Sequence, residues 1–138
     1  MLRLAGCIIA DKQGRLLLIH RNTDSYVHWE VPGGKVDNQE NPRDTAAREL
    51  KEELGIDVAV TEYIGDVTFV DRDKDMHYSF FAAIIVAGEP QIIETHLHDD
   101  VRYIDISTSS DLPYSKAAER FIEEMTAGRF KLPAYYCE

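Results

Sequence analysis

Glu49, Glu52 and Glu53 stand three and four residues apart in a chain of 138 residues, and Glu40 lies a short way upstream. On a helix, at 100° per residue, the three fall in a sector about 100° wide, with neighbours roughly 5–6 Å apart. Glu49 and Glu53, four apart, repel one another and weaken an isolated helix. Two readings explain the crowding. One is a solvated acidic face. The other is a site for a hard cation such as Mg²⁺, which takes oxygen ligands and usually only a few carboxylates together with substrate phosphate. A cation converts the repulsion into shared attraction.

The surrounding residues can position such a face. Asn41 is a good N-cap, Pro42 fits the first helical position, and Asp44 suits the open N–H groups of the first turn. Strong helix formers run from Ala46-Ala47 to Leu54, and Gly55 is a natural stop. Ala47, Leu50 and Leu54 fall on the opposite sector and face the core, while Arg48 relieves Glu52 in part. Upstream, a short strand over residues 27–31 ends in Pro32-Gly33-Gly34-Lys35, where paired glycines let backbone approach a ligand closely. Glu40 then sits just before the N-cap. Residues 2–10 and 16–21 are apolar, and the polar stretch from Asp11 to Arg15 between them predicts a hairpin. Further strands are expected over residues 57–70, 77–87 and 101–106, with breaks at Asp71 to Asp75 and Gly88-Glu89-Pro90. A second helix begins near Ser115, carries Ala118, Phe121, Ile122 and Met125 as one apolar stripe, and stops at Gly128. Strands, helix, strands, helix argue for a layered fold, α+β or α/β, with helices packed on sheet.

Composition limits the partners. Fifteen Lys and Arg against 25 Asp and Glu give a net charge of −10. Such a chain repels nucleic-acid polymers and anionic membranes, whose binding rests mainly on Lys and Arg. A hydrophobic content of 44% excludes a mainly disordered chain, and the length fits a single domain over residues 1–138. The longest apolar run, Phe80 to Ala87, is far short of the ~20 residues a spanning helix needs. Arg3 with Leu4 to Ala10 reads as a strand, not a signal peptide. Cys7 and Cys137 have no metal-like spacing and are expected to be free thiols in a reducing, cytoplasmic setting.

Taken together, the residues resemble the signature of the Nudix hydrolases, Gly-x5-Glu-x7-Arg-Glu-U-x-Glu-Glu-x-Gly-U, where U is a bulky aliphatic residue. Here it reads Gly34, Glu40, then Arg48-Glu49-Leu50-Lys51-Glu52-Glu53-Leu54-Gly55-Ile56, with every fixed position matched. The lead-in Trp29-Glu30-Val31-Pro32-Gly33-Gly34-Lys35 is also typical. The resemblance, closest to a small MutT-like member, implies an α/β fold, the Nudix-type α/β/α sandwich with a mixed β-sheet between helices. It implies Mg²⁺- or Mn²⁺-dependent hydrolysis of a nucleoside diphosphate linked to another group. Glu52 and Glu53 would be metal ligands, and Glu49 a ligand or the general base. Arg48 would orient the catalytic Glu, Glu40 would be an outer metal acid, and Gly34 would let the loop approach the metal. The family also admits a homodimer. The leading expectation is a nucleoside triphosphate pyrophosphohydrolase that releases a monophosphate and pyrophosphate. ADP-ribose or another nucleotide sugar is the alternative substrate, and a non-catalytic nucleotide sensor is the alternative class.

Outside the signature, Arg21 ends a strand where MutT-like members place a phosphate-binding Arg, and Lys35 follows the glycines. Both are candidate phosphate contacts, with a solvated surface charge the alternative for each. Asp99 and Asp100 are candidates for an extra catalytic or base-reading acid in a loop before the last strand. His96 and His98 carry a weak hint of a softer metal. Trp29 is expected to pack on the sheet, and His77, Tyr78, Phe80 and Phe81 to offer a base-stacking wall, with about half facing any one pocket.

Overall fold

The computed structural model describes residues 1–132. Its elements are β1 (Leu2–Ile8), β2 (Leu16–Asn22), β3 (Val27–Glu30), β4 (Gly33–Lys35), α1 (Pro42–Leu54), β5 (Asp57–Asp71), β6 (Lys74–Ala87), β7 (His98–Ile104) and α2 (Lys116–Thr126). One sheet has the order β4-β1-β6-β5, with β1 and β6 parallel and its other pairs antiparallel. The second, β3-β2-β7, is antiparallel throughout.

Strand alternation builds two cores. Ala5, Cys7 and Ile9, with Leu17 and Ile19, pack against Ala46, Leu50 and Leu54 of α1. Ile8, Ala10, Leu16 and Leu18 point the other way, into a cluster with Phe80, Phe121 and Phe130 that receives α2. Period-two alternation therefore lets the strands hold a helix on each face. This is the expected α/β/α layering around a mixed sheet. Cys7 lies in the first core with its thiol pushed up to about 12 by burial. Cys137 lies outside the described residues. Among the described residues, no helix is long and apolar enough to cross a membrane.

The expected first hairpin closes only at its turn. Ala10 bridges Leu16, and Leu17 N–H donates to the Ile9 carbonyl at 2.9 Å. Beyond that point the strands part into different sheets. Ala5 to Ile8 and Leu16 to Ile19 are buried on both faces, and each strand has its own two neighbours. The tight hairpin is instead β5–β6. Its turn residues Arg72 and Asp73 both take positive φ, 52° and 63°, as a two-residue turn matched to strand twist requires.

Both helices are capped as their sequences predict. The Asn41 side chain accepts from Arg43 N–H, Gly55 takes φ 70°, and Ser115 accepts from Ala118 N–H. The buried stripe of α1 differs by one residue. Ala46 is fully buried while Ala47 is only half-buried. The core-facing sector is thus turned toward Glu53 relative to the ideal wheel, and this rotation is what carries Glu53 into the interior.

Candidate active site

The two glycines place β4 against β1, with Gly6 opposite Gly33 and Ala5 opposite Gly34. Neither position has room for a side chain. A Cβ on Gly34 would fall against the Glu49 carboxylate, with Oε2 at 2.6 Å. One on Gly33 would meet Tyr78 Oη and the Ala5 carbonyl. The strand edge and the acidic face of α1 are therefore in direct apposition, and glycine is what permits it.

Glu49, Glu52 and Glu53 of α1 sit at graded depth. Their side chains are 51% (Glu52), 15% (Glu49) and 4% (Glu53) exposed. Glu53 Oε1 accepts the Gly33 N–H at 2.7 Å. Burial raises the Glu53 carboxyl well above its usual range, and the charges of Glu30 and Glu49 add to it. Glu49 is raised by burial and then by Glu52. Such groups crowd negative charge that a cation would relieve.

Arg48 organises the outer half. Its Nε donates to Glu40 Oε2 at 2.9 Å and its Nη1 to Glu52 at 2.9 Å and Glu49 at 3.2 Å. Nη2 donates to Glu40 Oε1 at 3.1 Å and to the Lys35 carbonyl at 3.2 Å. Glu40 also accepts from Thr45 Oγ1 at 2.6 Å, and the Arg48 guanidinium holds its carboxyl down to about 2. Glu40 thus tethers Arg48 and the loop, with both carboxylate oxygens hydrogen-bonded.

A second group meets this one from the other sheet. Arg21 holds Glu30 in a fork, 2.7 Å from Nε and 3.2 Å from Nη2, and His28 Nε2 lies 2.9 Å from the same carboxylate. His98, the first residue of β7, is fully buried at its side chain, with Nε2 3.8 Å from Glu53 Oε2 and 4.0 Å from Glu30 Oε2. Glu94 acts through space: its charge pushes both Glu49 and Glu53 upward. The segment carrying it docks on the end of α1, where Gln91 and Ile93 N–H donate to the Leu54 and Glu53 carbonyls.

A cleft of about 350 Å³ opens beside these groups. Arg21, Glu30, Gly33, Gly34 and Lys35 line one part of it, and Tyr26, Phe69, Met76 and Lys116 another. Arg21 and Lys35 are both brought to the cleft. Asp99 and Asp100 are not. They lie on β7 itself, not in a loop before it. Asp99 binds His20 Nδ1 at 2.6 Å and Asn22 at 2.8 Å, and Asp100 pairs with Arg102 at 2.7 Å. Of the expected aromatic wall, only Tyr78 lines the cleft. Phe80 and Phe81 fill the two cores, and His77 pairs with Asp66 at 2.8 Å. Trp29 packs in the core as expected. Glu30, Glu94 and His98 were not singled out for these positions. Glu30 could have been found, because it directly precedes the Val31-Pro32-Gly33-Gly34 turn.

The donors fit a divalent cation. The carboxylates of Glu49 and Glu53 face a glycine edge that admits no side chain, and a buried imidazole 3.8 Å from Glu53 lacks any hydrogen-bond partner.

Comparison with known proteins agrees with this geometry. The NUDIX domain model matches residues 2–125. The CTP pyrophosphohydrolase of Escherichia coli K12 is 41% identical over 136 residues, covering 97% of this chain and 98% of that protein. The 8-oxo-dGTP diphosphatase of Proteus vulgaris is 35% identical over 82 residues, 58% of this chain and 73% of that one. In structure, the MutT protein of Methanosarcina mazei Go1 superposes with a TM-score of 0.80 at 22% identity, covering 94% of this chain and 96% of that one. That likeness speaks for the fold alone. Matched along nearly its whole length, and with Glu49 and Glu53 set against the Gly33-Gly34 edge that lines the cleft, the chain belongs to the Nudix hydrolase family and acts on pyrophosphate bonds.

Proposed function

We propose that the chain is a Mg²⁺-dependent nucleoside triphosphate pyrophosphohydrolase that releases a nucleoside monophosphate and pyrophosphate, with CTP the first substrate to examine. The observation that carries this is the apposition of the Glu49 and Glu53 carboxylates to the Gly33-Gly34 edge, which itself lines a cleft. The near full-length similarity to a CTP pyrophosphohydrolase supports the choice of substrate.

Glu49, Glu52 and Glu53 would hold the cation, with Mn²⁺ as a substitute. A bound divalent ion neutralises charge on polyphosphate oxygens and acidifies water. Arg48 fixes the reach of Glu49 and Glu52 through its two Nη1 bonds. Glu49, partly open and raised above its usual range, is placed to take the proton of the attacking water. The new bond joins water oxygen to phosphorus, the bridging P–O bond breaks, and pyrophosphate departs. Arg21, oriented by its fork to Glu30, and Lys35 supply positive charge to the phosphate chain. Tyr26, Phe69 and Met76 offer surface for the base.

A panel of CTP, 8-oxo-dGTP and ADP-ribose with Mg²⁺ and product identification tests the proposal. Pyrophosphate from a triphosphate is the expected result. Ribose 5-phosphate as the main product would move the substrate to nucleotide sugars, and tight binding with no turnover would make the domain a sensor.

A further inference from the structure

His98 has a buried imidazole and neither ring nitrogen has a hydrogen-bond partner. Leaving a buried polar group unpaired is costly, so the arrangement calls for an occupant. His98 Nε2 lies 3.8 Å from Glu53 Oε2 and 4.0 Å from Glu30 Oε2. These spacings are too long for hydrogen bonds. They approach the separation of donors that share one ion, since two ligands ~2.1 Å from a tetrahedral centre stand roughly 3.4 Å apart. One ligand atom from each of Glu30, Glu53 and His98 lies within 4.8 Å of the others.

We infer that Glu30, Glu53 and His98 form an inner cation site that takes a borderline transition ion, Mn²⁺, Co²⁺ or Zn²⁺, in preference to Mg²⁺. It lies beneath the carboxylate face of α1 and shares Glu53 with it. The division of oxygens supports this. Glu53 Oε1 is held by Gly33 N–H, and Oε2 is the oxygen that faces His98. On Glu30, Oε1 takes the two short contacts from Arg21 Nε and His28, whereas Oε2 has the longer 3.2 Å bond from Arg21 Nη2. That bond is the competing interaction, and a cation must displace or share it. Burial lowers the His98 pKa and so keeps the imidazole neutral, the form that ligates metal. An imidazole nitrogen suits transition ions, whereas Mg²⁺ keeps to oxygen donors and water.

The test needs no substrate. Co²⁺ is titrated into the full chain in excess Mg²⁺ while its visible absorption is followed. A ligand-field band that survives Mg²⁺ is expected, with affinity reduced at least tenfold in His98→Asn. Far-UV circular dichroism checks that the variant is folded. Should it not fold, the ¹⁵N resonances of the wild-type histidines decide: His98 Nε2 should shift on adding Zn²⁺ and stay put on adding Mg²⁺. A Co²⁺ band unchanged in His98→Asn, a band lost to Mg²⁺, or no His98 response to Zn²⁺ would overturn the inference and leave the gap to water.

Discussion

Glu53 on α1 and Glu124 on α2 are the same residue type at similar depth, 3% and 8% exposed. Their surroundings are opposite. Glu124 accepts from Arg129 Nε at 2.5 Å and from Arg129 and Arg120 Nη2 at 3.2 Å each. Those guanidiniums, Arg129 first, lower its pKa. Glu53 receives one backbone N–H, and burial first, then the charges of Glu30 and Glu49, raise its pKa. The chain has completed one buried acid with its own cations and left the other incomplete. A completed acid serves the fold, while an incomplete one is available to a ligand that brings positive charge.

The sharpest way to break this contrast is Glu53→Gln. Turnover with Mg²⁺ should fall by ~10³-fold while circular dichroism keeps its folded signature. Full activity in that variant would remove Glu53 from the site. Next is Leu50→Ala, which empties a fully buried position one turn before Glu53. It should cost about 2–5 kcal/mol in a urea titration. An unchanged midpoint would mean that the packing of α1 is not what seats Glu53.

Acid and base titration should then separate the two glutamates, in chelator. The folded pKa of Glu53 lies above the ordinary 4.5, so the folded state keeps a proton that the unfolded chain has lost. Stability should therefore fall as pH rises upward from about 4.5. Glu124 lies below 4.5 in the fold, so its contribution is present above that value and is lost as pH falls through the folded value. Urea midpoints against pH should flatten on the upper side in Glu53→Gln, and Mg²⁺ should offset the decline in wild type. Coincident profiles for the two proteins would contradict the assignment. The smallest effect belongs to Glu124→Gln. It should lower the melting temperature slightly and leave kcat/KM within twofold, and a large loss of activity would erase the distinction between the two acids.

Much of α1 was readable in the sequence because its determinants are local. Asn41, Pro42 and Gly55 act within one turn of themselves, and the spacing of the glutamates is a property of a single helix. The succession of strands along the chain was legible for the same reason, except β4, whose Gly33-Gly34-Lys35 reads as a turn. What stayed hidden depends on pairing between distant segments. The polar stretch from Asp11 to Arg15 correctly marks a turn, yet nothing near it tells that β1 and β2 will enter different sheets. His98 reaches Glu53 only because β7 pairs with β2 and α1 packs on β1, and Asp99 is turned away from the cleft by that same pairing. The wheel placed Glu53 correctly beside Glu49 but could not give the small rotation that buries it.

The parallel pairing of β1 with β6 has a consequence for how the enzyme comes into being. Leu2 lies opposite Met76, 74 residues later in the chain. At ~5–20 residues per second, a ribosome needs roughly 4–15 s to make the partner of a strand it has already released. Contacts of such long range also slow folding, because the loop must close before they reward it. Since β1 lies between β6 and the Gly33-Gly34 strand, the nascent chain carries the whole signature before the sheet that frames it can exist. Glu53 therefore meets its final neighbours late, and the wait exposes the apolar residues of β1 to solvent and to other chains during synthesis.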